Sequence, residues 1–317
     1  MASRSSPSAG VRLPALRQRW SGLPDNLRGA LWVTVSALLF TSMSAVVKSQ
    51  GAHLDSFQLA FLRASFGFLL ILPFALAGGA AIFRTRRLRM HLTRGVCGSI
   101  GLMCGFYALT HLSLADATAI GFTKPLFLIV LAALVLGETV RARRWSATAV
   151  GFLGVLIMLR PGDGVLEPAA LVALLGALAA ATVSLLIKRL SASEAALTIM
   201  VYLGAVSVVT TFIPAALVWQ TPTLADLLWM LLAAALASSA QLCMIRGFRI
   251  GEASALAPLE YLKLPLAAFY GIVLFAEVPD LYTLLGALLI VLSTLYIGHR
   301  EARLGKRATV PRANAEV

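Results

Sequence analysis

Ten apolar runs, at roughly 30–48, 56–78, 93–111, 115–137, 145–160, 168–187, 195–219, 224–245, 252–276 and 280–298, alternate with short polar stretches along the chain. Most reach the ~20 residues that a helix needs to cross a bilayer, and the fifth is at the lower edge. Pro125, Pro214 and Pro265 fall inside runs, and Gly and Ala are frequent throughout, as in packed transmembrane helices. The runs do not alternate with a period of two, as the strands of an outer-membrane barrel do. The pattern predicts an all-α integral membrane protein of ten transmembrane helices. Composition agrees: 59% of the 317 residues are hydrophobic and 13% charged, against about 25% charged in a soluble domain. Two soluble domains, which the length alone would allow, are excluded.

The polar stretches carry a second pattern. With both termini placed inside, all but five of the 27 Lys and Arg residues fall on the inner side. The exceptions are Lys48 and Arg160 on the outer side, and Arg63, Lys124 and Lys263 within runs. This is the positive-inside distribution. It predicts an inner (plasma) membrane protein with cytoplasmic termini, a mobile basic tail over 1–27 and a basic tail over 301–317. The net charge of +13 then orients the protein and meets anionic lipid, and nucleic acid is not an expected partner. The first apolar run has no small-residue cleavage site after it and reads as a helix rather than a signal peptide. Cys97, Cys104 and Cys243 show no metal or disulfide spacing.

The segment Leu114 to Glu138 returns in altered form as Gly251 to Glu277. Each copy opens on an acidic residue, Asp116 or Glu252, and closes on Glu138 or Glu277. Five crossings separate the copies, so they are inverted relative to each other. Inverted repeats of this kind place a binding site between the halves at mid-membrane. The predicted organisation is two inverted five-helix repeats, 28–160 and 168–300, joined by an outer Gly/Pro loop at 161–167. A gapless alignment from Asp116/Glu252 pairs Lys124 with Glu260. Gly95, Gly98, Gly101 and Gly105 on the third run are expected to serve close packing within the bundle.

Arg63, Lys124, Glu260 and Lys263 lie deep in apolar runs. Each would cost about 2.5 kcal/mol or more if it faced lipid at mid-bilayer. Lys124 and Glu260 come about nine residues into their helices from opposite faces, ~13 Å deep. Glu260 and Lys263 share a helix face. These residues form the candidate substrate site: Arg63, Lys124 and Lys263 for a carboxylate, Glu260 for an amine or a coupling proton, and Tyr107, Thr123 and Tyr261 for hydrogen bonds. The alternative is an internal set of ion pairs, Lys124–Glu260 or Glu260–Lys263, that locks helices together in a membrane-embedded structural subunit or enzyme. Glu138 and Glu277, at helix ends, read as local ion pairs or loop caps. His53, His91, His111 and His299 read as interfacial.

No metalloprotease, nucleophile-elbow or nucleotide-binding motif is present. In Ser56 to Phe74, Arg94 to Phe127, Gly137 with Glu138, Gly151 to Gly162 and Ala257 to Asp280 the chain resembles the EamA-type branch of the drug/metabolite transporter superfamily, and the resemblance covers about residues 28–300. It implies five-plus-five inverted helices and a secondary carrier that moves a small polar metabolite by alternating access without ATP. The second-half motif looks like that of carriers for S-adenosylmethionine and for riboflavin, and the family also includes exporters of amino acids and drugs. No cofactor is implied. The driving force would be proton or sodium coupling, and the carrier would work as a monomer or a homodimer.

Overall fold

The computed structural model describes residues 23–136, 142–159, 167–190, 193–251 and 256–308. Glu138, Arg160 and Glu252, singled out above, lie outside them, as do most of both tails. Among the described residues the chain is helical, and ten spans follow one another. Span 1 is Asp25–Gln50, span 2 Ser56–Ala77, span 3 Leu88–His111 and span 5 Ala142–Leu159. Span 6 is Pro168–Leu190, span 7 Ala196–Leu217, span 8 Leu224–Ile250 and span 10 Leu281–Ala308. Spans 4 and 9 are each broken in two. Span 4 comprises Leu114–Gly121 and Lys124–Leu136, and span 9 comprises a 3-10 segment, Ala257–Leu262, followed by the α-helix Lys263–Phe275. Eight spans have the length and hydropathy of membrane crossings, and the apolar parts of spans 5 and 10, Trp145–Leu159 and Leu281–Tyr296, are shorter.

The breaks follow from proline. A proline ring removes one N–H and collides with the carbonyl four residues earlier. Four residues before Pro125 is Gly121, where the first half of span 4 ends. Four residues before Pro265 is Tyr261, inside the 3-10 segment. Pro73 and Pro214, by contrast, sit near the ends of continuous helices in spans 2 and 7. Short backbone bonds close the first break: Phe122 N–H donates to Ala119 O (3.1 Å) and Thr123 N–H to Ile120 O (2.9 Å). Exposed irregular backbone is not tolerated in hydrocarbon, but it is where protein encloses it or it lines a cavity.

Span 1 lies along span 8, span 3 along span 6, span 2 along span 7 and span 5 along span 10, while span 4 meets span 9. Spans 3 and 7 also touch, as do 8 and 2, and so do 4 and 6, and 9 and 1. Exchanging the first five spans with the last five leaves this set of neighbours unchanged. That is the packing expected of two inverted repeats related by a pseudo-two-fold axis. The structure also corrects the register of the repeat. Lys124 and Lys263 each head a 13-residue helix, and each stands fourteen positions before its closing glutamate, Glu138 or Glu277. Lys263, not Glu260, is therefore the counterpart of Lys124, and the three additional residues of the second copy precede Lys263 rather than follow it.

The three most extensive helix pairs each cross where two glycines meet. A Cβ on Gly29 would lie 3.1 Å from Gly247 O, and one on Gly286 would lie 2.5 Å from Gly154 O. The Gly101–Gly176 crossing is looser, with 3.5 Å from a Gly101 Cβ to Gly176 O. Gly95 and Gly98 face Val206 and Leu203 of span 7, so these third-span glycines pack inside the bundle. Without a hydrophobic drive in lipid, such close backbone approach is a main source of helix association. Gly286→Ala is expected to destabilise the protein by about 1–3 kcal/mol, whereas Gly101→Ala changes stability by no more than about 0.5 kcal/mol. Melting of the two purified variants in detergent checks the contrast.

Candidate functional site

The two breaks bring three of the intramembrane charges, Lys124, Glu260 and Lys263, together. Lys124 and Lys263 each stand at the first position of the half-helix that follows its break, about 20 Å from that helix's far end. Lys124 lies within electrostatic range of both Glu260 and Lys263. It makes no hydrogen bond or ion pair among the described residues, so of the two ion pairs considered above Lys124–Glu260 is not formed here. The pair that forms is Lys263 Nζ–Glu260 Oε2, at 3.4 Å. Lys263 Nζ also lies 5.0 Å from the centre of the Phe40 ring on span 1. Arg63 on span 2 is half-buried, and its Nε is closed off from solvent with no hydrogen-bond partner.

The three hydroxyl-bearing candidates are placed differently. Thr123 is fully buried, and its Oγ1 donates to Ile120 O at 2.7 Å. It builds the break in span 4 instead of presenting a free hydroxyl. The Tyr261 hydroxyl donates to Thr294 of span 10, and its ring leans on Phe122 with centroids 4.8 Å apart. Tyr261 thus ties the break in span 9 to the break in span 4. It also borders an apolar lateral cleft of 280 Å³ between spans 9 and 10, with Pro265 and Leu288. Tyr107 sits one turn from the end of span 3, stacked on His111 at 3.9 Å. It is therefore apart from the mid-span charges.

A second polar cluster lies at the far face, where span 1 ends. Ala276 adopts the left-handed conformation (φ 55°) after the last helical residue of span 9, which turns Glu277 back towards the bundle. Glu277 Oε1 pairs with Lys48 Nζ of span 1 at 2.7 Å. Its Oε2 accepts from the Leu114 N–H at the start of span 4 (2.9 Å). Lys48 Nζ also donates to Leu112 O (2.5 Å). Beside it, Thr283 of span 10 donates to Asp116 of span 4 (2.6 Å). Glu277 is therefore a tie between the two halves rather than the local pair or cap that its place in the sequence suggests. Lys48, read above only as a charge of an outer stretch, is its partner.

At the near face, where span 1 begins, His91 is 1% exposed. It stacks on Tyr202 of span 7 (4.7 Å) and lies 3.9 Å from Glu194. It is buried between the halves near the end of its span. Glu194 accepts from Thr85 (2.7 Å) and Arg94 donates to Ile199 O (3.0 Å). Among the described residues no cluster of His, Cys, Asp and Glu is arranged to hold a metal ion.

Ten spans in two packed halves, with charge held at helix breaks between them, define a multi-pass membrane transporter. The chain belongs to the EamA-like transporter family, whose model matches residues 27–160 and again 167–298. It is 30% identical over 281 residues to the S-adenosylmethionine uptake transporter of Rickettsia prowazekii (strain Madrid E), covering 89% of this chain and 96% of that one. It is 34% identical to the riboflavin transporter of Rhizobium johnstonii (87% of this chain, 92% of that one). With a pseudopaline exporter of Pseudomonas aeruginosa it shares 33% identity (86% and 96%). A solved crystal structure that is 18% identical superposes with a TM-score of 0.59 over 87% of this chain and 98% of that chain, and shows the fold alone. The protein is a transporter of small metabolites and not an enzyme.

The far-face tie yields a direct expectation. Removing one member leaves the other charge partly buried and unpaired, which costs more than the pair is worth. Lys48→Ala and Glu277→Ala are each expected to lower stability by about 1–3 kcal/mol, with the double variant losing much less than the sum. A double-mutant cycle on melting temperatures measures the coupling, and strict additivity would show that the pair contributes nothing.

Proposed function

We propose that the chain is a secondary active carrier in the inner membrane, with cytoplasmic termini and the near face as the cytoplasmic one. It moves a small polar metabolite bearing a carboxylate. The halves 28–160 and 168–300 rock about the mid-membrane site to expose it to each side in turn. The observation that carries this reading is an imbalance of charge: Arg63, Lys124 and Lys263 accompany one carboxylate, Glu260, and neither Arg63 nor Lys124 has a hydrogen-bonded or ion-paired partner among the described residues. Two cations left over in hydrocarbon are expensive unless an anion arrives to meet them. A substrate carboxylate is such an anion, and a guanidinium donates to it in bidentate geometry. Lys263, held by Glu260 and Phe40, is the third, conditional member of the set.

The far-face ties from Lys48, Leu114 and Thr283 to Glu277 and Asp116 support a conformation shut at that face, so that the site is entered from the near face. Of the ligand types named for the relatives, S-adenosylmethionine carries an amino-acid carboxylate and riboflavin carries none, which favours the former class. Proton or sodium coupling would drive the cycle.

Reconstituted vesicles loaded with S-adenosylmethionine or riboflavin test this. Saturable counterflow of the charged ligand is expected. Arg63→Ala and Lys124→Ala should each reduce it at least tenfold, the effect of losing about 1.4 kcal/mol or more of binding, while leaving a folded protein. Wild-type flux in both variants would remove the carboxylate site.

A further inference from the structure

Phe40 is exposed on the wrong side of its helix. Leu27, Leu31, Val35 and Leu38 are all exposed and recur at the three- and four-residue spacing of one helix face, the lipid stripe of span 1. At 100° per residue Phe40 points about 180–200° away from that stripe. Its neighbours on the opposite face, Val33, Ser36, Ala37, Met43 and Val47, are all buried, and Ser36 donates to Ala240 O of span 8. In the middle of this packed stripe Phe40 remains 42% exposed. Its exposure is therefore to space inside the bundle, at the depth of the breaks.

What lies against that ring is the Lys263 ammonium, 5.0 Å from its centre. The same ammonium is 3.4 Å from Glu260 Oε2. An aromatic face beside a carboxylate is the standard pair of partners for an organic cation: the ring supplies a negative quadrupole and the carboxylate a full charge. Here a side chain of the protein itself occupies them. The hold is loose, since a well-made charged pair closes to about 2.7–2.9 Å, as Lys48–Glu277 does at 2.7 Å. Glu260 also keeps 35% of its side chain exposed against 15% for Lys263, so the carboxylate has room for another partner.

We propose that Phe40 and Glu260 form a cation subsite that Lys263 fills in the empty carrier and that the cationic centre of the substrate fills during transport. This rests on the reading of a carboxylate-binding mid-membrane site and deepens it: the ligand is amino-acid-like, with an ammonium or sulfonium centre as well as a carboxylate. The exchange conserves charge pairing. The ligand's cation takes Glu260 and the Phe40 face, and the released Lys263 joins Lys124 on the ligand's carboxylate. Glu260 and Lys263 each keep a partner of opposite charge at both stages. An uncharged ligand offers nothing in exchange for Lys263 and leaves it in place.

Chemical rescue tests the subsite without knowledge of the substrate. Lys263→Ala, in the full-length protein in detergent, vacates the subsite. Methylammonium chloride, a copy of the lysine head group, is then added against potassium chloride of equal ionic strength. A rise in melting temperature of about 2–4 °C is expected at a several-fold excess over its Kd. No rise is expected in the wild type, whose own lysine is in place. Phe40→Leu/Lys263→Ala should lose most of the rise, and Phe40→Trp/Lys263→Ala should keep or exceed it, because Trp is the best cation–π partner. Lys263→Ser serves in the same way if the alanine variant does not fold. Absence of a rise in both vacated variants, or an equal rise with Leu at position 40, overturns the subsite. Failure of the underlying carboxylate reading shows elsewhere, as undiminished flux in both Arg63→Ala and Lys124→Ala, so the two ideas fall separately.

Discussion

Charge in hydrocarbon is the constraint on which the rest of this structure depends. Each ion at mid-membrane costs about 2.5–3.5 kcal/mol or more unless it meets a partner or water. Arg63, Lys124, Glu260 and Lys263 therefore require an interior, and ten helices packed without one could not hold them. The fold supplies the interior by breaking two of its spans. Pro125 and Pro265 each disable the helix one turn earlier, and Lys124 and Lys263 start the helix again on the other side. Irregular backbone and charge, both expensive in lipid, are thereby confined to the same place.

Around that centre the two halves are held by contacts of different kinds. Where helices run together for their whole length, the crossing is made by glycine, as at Gly154 and Gly286. Where the halves meet at the faces, the contact is polar and specific. Glu277 joins spans 1, 4 and 9 at one face, and Glu194 with His91 and Thr85 joins spans 3 and 7 at the other. Backbone-to-backbone crossings resist sliding because each atom of approach meets repulsion. Breaking one of the partly buried pairs at the faces leaves a charge without its partner.

Much of this was legible in the sequence. The spans were, because a run of apolar residues is a local property and the bilayer sets its length. The duplication and its inversion were legible too, since an odd number of spans separates the copies. So was the short set of ions that had to face inwards, because the cost of a charge in lipid does not depend on which helix is beside it.

The tertiary structure decided which groups those ions and hydroxyls meet. Alignment without gaps paired Lys124 with Glu260, but the equal helices that follow the breaks pair it with Lys263. Thr123 and Tyr261 looked like free hydroxyls, yet both are committed to structure, one to its own backbone turn and one to Thr294. Glu277 looked local and instead reaches Lys48, at the end of the first span. Phe40 carried no signal at all, since one aromatic among many apolar residues of a span becomes distinctive only when its neighbours are buried and it is not. Sequence by itself determined how many helices cross, how the halves are oriented and where charge must be hidden, because these follow from the transfer of each segment between water and lipid. Only packing in three dimensions determined which partner each charge takes, because that depends on distances between spans remote in the chain.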